Sequence, residues 1–204
     1  MPDGSGPVQL AALPRLSDQA FRAFVRFPPG WSRAQAGHYT VPEEFLVLEG
    51  ALGLNDCTWR AGGYAWIPAR RMRRNLHAVE GCLLFAWFAA PPRWISAAPV
   101  EASVLPEVRF AHWRDAPEGR LYDGPEHRTC IVDGRQLARS AAPGEYYETL
   151  DLETFAWTWA GDQASSSAAK LRGVAAGTVS SSKYTRPISR PSVVSTCTFH
   201  SPGW

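Results

Sequence analysis

The sequence predicts an all-β fold, a sandwich or barrel of short strands. Apolar runs recur at roughly 10-residue spacing, turn residues separate them, and no helical periodicity lies between them. AFRAFVRF (Ala20 to Phe27) alternates apolar and polar positions until Pro28-Pro29-Gly30 stops it. EFLVLEG (Glu44 to Gly50) is a near-continuous apolar run, which suits a strand covered on both faces. ALGL and CTWR flank Asn55-Asp56 and form a tight hairpin. Gly62-Gly63 introduce YAWIP, and CLLFAWF (Cys82 to Phe88) is a second fully buried strand.

Residues 1–18 are a loose lead-in punctuated by Gly and Pro, and residues 19–98 are the barrel domain. A Pro/Ala-rich stretch from Ala89 to Pro99 closes it. VRFAHW (Val108 to Trp113), RTCIVDG (Arg128 to Gly134) and TFAWTWA (Thr154 to Ala160) then predict strands within 99–162. That segment is a β-rich extension packed on the barrel or a partial second barrel. Residues 163–204 hold ten serines, five basic residues and no acid, and are expected to be disordered.

The charge balance narrows the function. Net charge is +2, but residues 1–162 carry 16 arginines against 19 acids, which gives −3. A mildly acidic body speaks against nucleic-acid binding. No apolar run reaches the ~20 residues of a membrane helix, and nothing at the N-terminus resembles a signal peptide. The four cysteines are widely spaced and contain no C-x-x-C pair, so the expected setting is reduced and cytoplasmic. The G-x-S-x-G, H-E-x-x-H, P-loop and G-x-G-x-x-G patterns are all absent.

Two spaced motifs carry the functional signal. The first places Gly30, Ala36, His38, Glu43 and Gly50 in one register; the second places Gly62, Pro68, Arg70, Arg73 and His77. This pattern resembles the two motifs of the cupin superfamily, Gly-x5-His-x-His-x3–4-Glu-x6-Gly and Gly-x5-Pro-x-Gly-x2-His-x3-Asn. The resemblance covers about Arg26 to Trp94. It implies a jelly-roll barrel (a double-stranded β-helix) with a small-molecule site inside, a homodimer, and a divalent transition metal (Fe, Mn, Ni or Zn) held by three histidines and a glutamate.

The chain keeps only part of that ligand set. His38 and Glu43 match, Ala36 has no donor atom, and Arg73 brings a permanent positive charge to a histidine position. His77 lies four residues beyond Arg73, ~13 Å along a strand, so it becomes a third ligand only if a turn near Arg74-Asn75 shortens the path. The candidate metal set is therefore His38, Glu43 and His77. Tyr39 and Glu44 are further nearby donors, which alternation aims at the opposite face. The candidate ligand-binding set is Arg73 as an anion anchor, with Trp66 and Tyr39. His112, His127 and His200 are isolated, and YDGPEHR around His127 resembles a surface turn. The expected function is a small-molecule-binding barrel, metal-free with Arg73 gripping an anion; the alternative is a metal-dependent enzyme of dioxygenase or isomerase type using His38 and Glu43.

Overall fold

The computed structural model describes residues 7–16, 19–96, 106–141 and 146–161. Eleven strands build the first part: β1 (Gln9–Ala12), β2 (Phe21–Phe27), β3 (Trp31–Arg33), β4 (His38–Tyr39), β5 (Glu43–Leu54), β6 (Cys57–Arg60), β7 (Tyr64–Ile67), β8 (Leu76–Ala78), β9 (Cys82–Phe88), β10 (Trp94–Ile95) and β11 (Val108–Phe110). The second part contains β12 (Arg120–Asp123), β13 (His127–Val132), β14 (Gln136–Ala141), β15 (Tyr146–Asp151) and β16 (Trp157–Gly161). Two short 3-10 turns join the parts. Among the described residues no helix is long and apolar enough to cross a membrane.

The strand order defines the barrel. One sheet runs β2–β9–β5–β7, with β1 and β11 added at its ends. The opposing sheet runs β3–β8–β5–β6. β5 serves both, its first half in one sheet and its second half in the other. Counting it twice gives the eight-stranded, two-sheet Greek-key pattern of a jelly roll. The crossing falls at Gly50, where φ is +70 and the register has just shifted between Val47 and Glu49. A side chain at Gly50 would run into the Gly81 backbone, so glycine is needed where the strand changes sheets.

The continuous apolar runs follow from burial on both faces. Along β9, Cys82, Leu84, Ala86 and Phe88 point into the barrel. Phe85 packs outward with Leu46, Tyr64 and Trp66 against Leu121, Leu137, Leu150 and Trp157 of the second part. That part is an antiparallel meander, β12 to β16 in sequence order, laid on the outer face of the β2–β9–β5–β7 sheet. The strand register shows the two faces as rows. Phe21, Phe88, Glu43 and Ile67 share the inner row; Arg22, Trp87, Glu44 and Trp66 share the outer one.

β12, β14 and β15 were not anticipated from the sequence. Their buried face is partly polar, with Arg139 and Glu148 only 3 % exposed, so apolar alternation does not mark them. Residues 163–204, expected to be disordered, lie outside the described residues, as does 97–105, the end of the barrel boundary.

Candidate functional site

The inner row brings Glu43 to one end of the barrel, between Phe88 and Ile67. Above it, Gly37 and Arg73 bridge the two motifs by a reciprocal pair of backbone bonds, 3.0 Å from Gly37 N to Arg73 O and 2.7 Å from Arg73 N to Gly37 O. Gly37 is obligatory because Trp94 and the Ile95 carbonyl fill the space a Cβ would take. The pairing turns Arg73 inward, where it is 1 % exposed.

Arg73 is held on every side. Its Nε donates to Glu43 Oε2 at 3.1 Å and its Nη1 to the Arg71 carbonyl at 3.1 Å. Nη2 lies 2.9 Å from the same Glu43 oxygen, so the ion pair is made through both nitrogens. The guanidinium sits 4.8 Å above the centre of the Tyr39 ring. Tyr39 meets Phe88 and Trp94 edge-on at 5.1 and 5.2 Å.

Arg33 on β3 completes the group; sequence spacing had given no sign of it. Its guanidinium lies 4.3 Å over the Trp94 ring, and its charge acts on both Tyr39 and Glu43. Burial raises the pKa of Glu43 above the usual carboxylate range, and the charges of Arg73 and Arg33 only partly offset it. Burial and the Glu43 charge likewise raise Tyr39, against the same two arginines.

The other expected site residues lie elsewhere. Tyr39, expected to face away from Glu43, faces it, and alternation along β4 then turns His38 to the opposite side. His38 is itself buried, 6 % exposed. The turn at Asn75 (φ +55) does intervene between Arg73 and His77, but it delivers His77 to the outer face of β8. There it pairs with Ser32 and Gly53, and its Nδ1 meets the Asn75 carbonyl at 2.7 Å. Trp66 does not line the barrel either. It stacks on Tyr122 of the meander at 4.6 Å, in the outer core.

The metal implied by the motif resemblance does not fit this donor set. Glu43 is engaged by a guanidinium, which would repel a cation at the same oxygen. Among the described residues no three of His, Cys, Asp and Glu cluster to hold an ion.

A second polar centre, between barrel and meander, was not visible in the sequence. Glu44 accepts from Tyr64 Oη at 2.7 Å and from Arg139 Nε at 3.1 Å, and meets His127 Nε2 at 3.0 Å. Arg139 continues to Glu148 at 3.2 Å, which also accepts from Arg22 at 2.6 Å and Trp157 at 3.0 Å. The Arg139 guanidinium covers the Trp87 ring at 3.5 Å. His127 is thus 4 % exposed and not part of a surface turn. Burial pushes the Glu44 pKa up, but the hydrogen bond from His127 and the charge of Arg139 prevail and hold it at about 2.

The fold is an all-β jelly roll, and its barrel site is built on an arginine–glutamate pair. No family model matches the sequence, and no curated protein matches it. Solved structures do resemble it. A provisional dioxygenase from Nostoc punctiforme aligns at TM-score 0.47 and 17 % identity, over 72 % of this chain and 55 % of that one. A provisional acetylacetone dioxygenase from Methylibium petroleiphilum aligns at 0.40 and 17 %, over 54 % and 80 %. The E. coli protein Ylba aligns at 0.40 and 14 %, over 68 % and 57 %. The chain thus spans little more than half the length of the first and third of these.

Proposed function

We propose that this is a metal-free, small-molecule-binding jelly-roll protein whose barrel mouth takes a monoanion on Arg73 and Arg33. The carrying observation is the imbalance of charge at that mouth. Two guanidiniums act on one carboxylate, and Arg73 meets it through a single carboxylate oxygen. With Glu43 ionised the group carries one net positive charge, and with Glu43 protonated it carries two. Either state favours an anionic group, which a guanidinium receives through paired hydrogen bonds. Tyr39 and Trp94 supply aromatic faces beside it. The reading includes a homodimer in a reducing cytoplasm, checked by light scattering of the purified protein.

Metal analysis separates this reading from an enzymatic one. Purified, untagged protein examined by inductively coupled plasma mass spectrometry is expected to hold no stoichiometric transition metal, with or without His38→Ala. One equivalent in the wild type, lost in His38→Ala, would overturn the metal-free reading and bring back a metal-dependent enzyme.

A further inference from the structure

The barrel site faces inward, and the outer face of the β3–β8–β5–β6 sheet carries a separate feature. Trp31, Leu52, Leu54, Trp59, Leu76 and Ala78 fill the inner face of these strands, so alternation turns Ser32, Gly53, Thr58 and His77 outward. The register sets those four in one row across the sheet, in the order Ser32, His77, Gly53, Thr58. Adjacent strands are ~4.8 Å apart, so the row spans ~14 Å. An open groove of about 530 Å³ follows it, with Asn55 and Asn75 along one side.

At the centre of the row a ring is laid flat. Cε1, Nε2 and Nδ1 of His77 all crowd the position that a Cβ at Gly53 would take, so the imidazole lies face-down on the Gly53 backbone and turns its other face to the groove. Its Nδ1 meets the Asn75 carbonyl at 2.7 Å and therefore carries a proton, and this bond fixes the ring in its plane. Nε2 has no partner among the described residues. The turns beside the ring are tied together by Asn55 N to Arg74 O at 2.7 Å and Arg74 N to Asn55 Oδ1 at 3.0 Å. Asp56, the one acid along the groove, is paired with Arg74 at 2.8 Å, and the Arg33 guanidinium is engaged over the Trp94 ring. The polar groups left facing the groove are therefore uncharged hydroxyls, an amide and the imidazole.

An aromatic face held in one plane, with hydroxyls on both sides of it, suits a ring that is apolar on its face and polar around its edge. A pyranose is such a ring: its C–H face packs on the imidazole, and its hydroxyls radiate to Ser32, Thr58 and the Asn75 amide, which both donate and accept. We infer that the outer groove is a second binding site, separate from the barrel mouth, which takes a neutral pyranose sugar stacked on His77. The site uses neither Arg73 nor Glu43, so it stands independently of the anion-binding reading.

Calorimetric titration of the full chain with glucose, galactose, mannose and maltose tests it, with cyclohexanol as a ring that lacks the array of hydroxyls. At least one of the sugars is expected to bind in the millimolar range or tighter and to shift the ¹⁵N resonance of His77 Nε2. It should bind at least ~10-fold more tightly than cyclohexanol, since each well-placed hydroxyl adds a net hydrogen bond. His77→Ala should abolish binding, and His77→Gln, which keeps an acceptor but not the ring, should weaken it nearly as much. Thr58→Val removes one exposed hydroxyl at nearly constant shape and should cost roughly 5-fold, the value of one net hydrogen bond. Arg73→Met should leave the sugar affinity unchanged. Binding by none of the four sugars, full affinity in His77→Gln, or loss of sugar binding in Arg73→Met would overturn the inference. Tighter binding of adenosine than of any sugar, with the same His77 shift, would give the ring face to a nucleobase and overturn the sugar class.

Discussion

Glu44→Ala is expected to lower the unfolding free energy by about 3–5 kcal/mol, the scale of removing one partner from a buried ion pair. The carboxylate is 4 % exposed and meets Tyr64, His127 and Arg139 within 3.1 Å. Its loss takes from the buried Arg139 guanidinium one of the carboxylates it pairs with, Glu148 being another, and leaves a tyrosine hydroxyl without its acceptor. Urea denaturation reads the change as a shift of midpoint. Arg26→Ala is the contrast, since the Arg26–Glu49 pair is 42 % and 51 % exposed and should contribute under ~1 kcal/mol. A Glu44→Ala loss as small as that of Arg26→Ala would show that the seam does not hold the meander to the barrel.

The same carboxylate gives a pH signature. Its folded pKa of about 2 lies below its ordinary 4.5, so its stabilisation is complete above the unfolded value. That stabilisation is lost as pH falls from 4.5 through about 2. The whole contribution is roughly 3 kcal/mol at 1.36 kcal/mol per unit. Glu43, the next residue, has the opposite sign: its raised pKa favours the folded state as pH falls. Denaturation midpoints measured from pH 7 to 3 should therefore drop more steeply in the wild type than in Glu44→Gln. Parallel profiles would count against the depressed Glu44.

The contrast between Glu43 and Glu44 also marks what the sequence could express. The all-β class, the fully buried runs at β5 and β9, and the hairpin at Asn55-Asp56 were legible because period-2 burial and turn chemistry are local. The meander was only half legible. β13 and β16 carry apolar runs, but β14 and β15 bury Arg139 and Glu148, whose partners Glu44 and Arg22 lie about a hundred residues away in the chain. No local pattern records such a pairing. Motif spacing placed Glu43 and Arg73 together, and they do meet. It placed His38 rather than Tyr39 inward, because a one-residue change of register on a two-residue strand leaves the spacing of the motif intact. His77 escaped for a similar reason: a single left-handed residue, Asn75, exchanges the faces of the strand that follows.

Arg73→Met is expected to weaken carboxylate binding by about 2 kcal/mol or more, roughly 30-fold, as loss of a charged hydrogen-bonding partner does. Methionine keeps much of the apolar stem beside Tyr39 while removing the guanidinium. The fold should tolerate the change better than it tolerates Glu44→Ala. Burial already raises the pKa of Glu43, so an unpaired Glu43 can take up a proton rather than remain a bare charge, whereas in the Glu44 variant Arg139 cannot give one up. Affinity and stability should therefore separate at these two positions, Arg73→Met changing mainly the first and Glu44→Ala mainly the second. Titration of hexanoate against both variants, with denaturation midpoints alongside, checks this. Unchanged affinity in Arg73→Met would remove Arg73 as the anchor. A tighter complex in Glu43→Gln would support it from the other side, because that substitution relieves Arg73 of the internal carboxylate with which any incoming anion must compete.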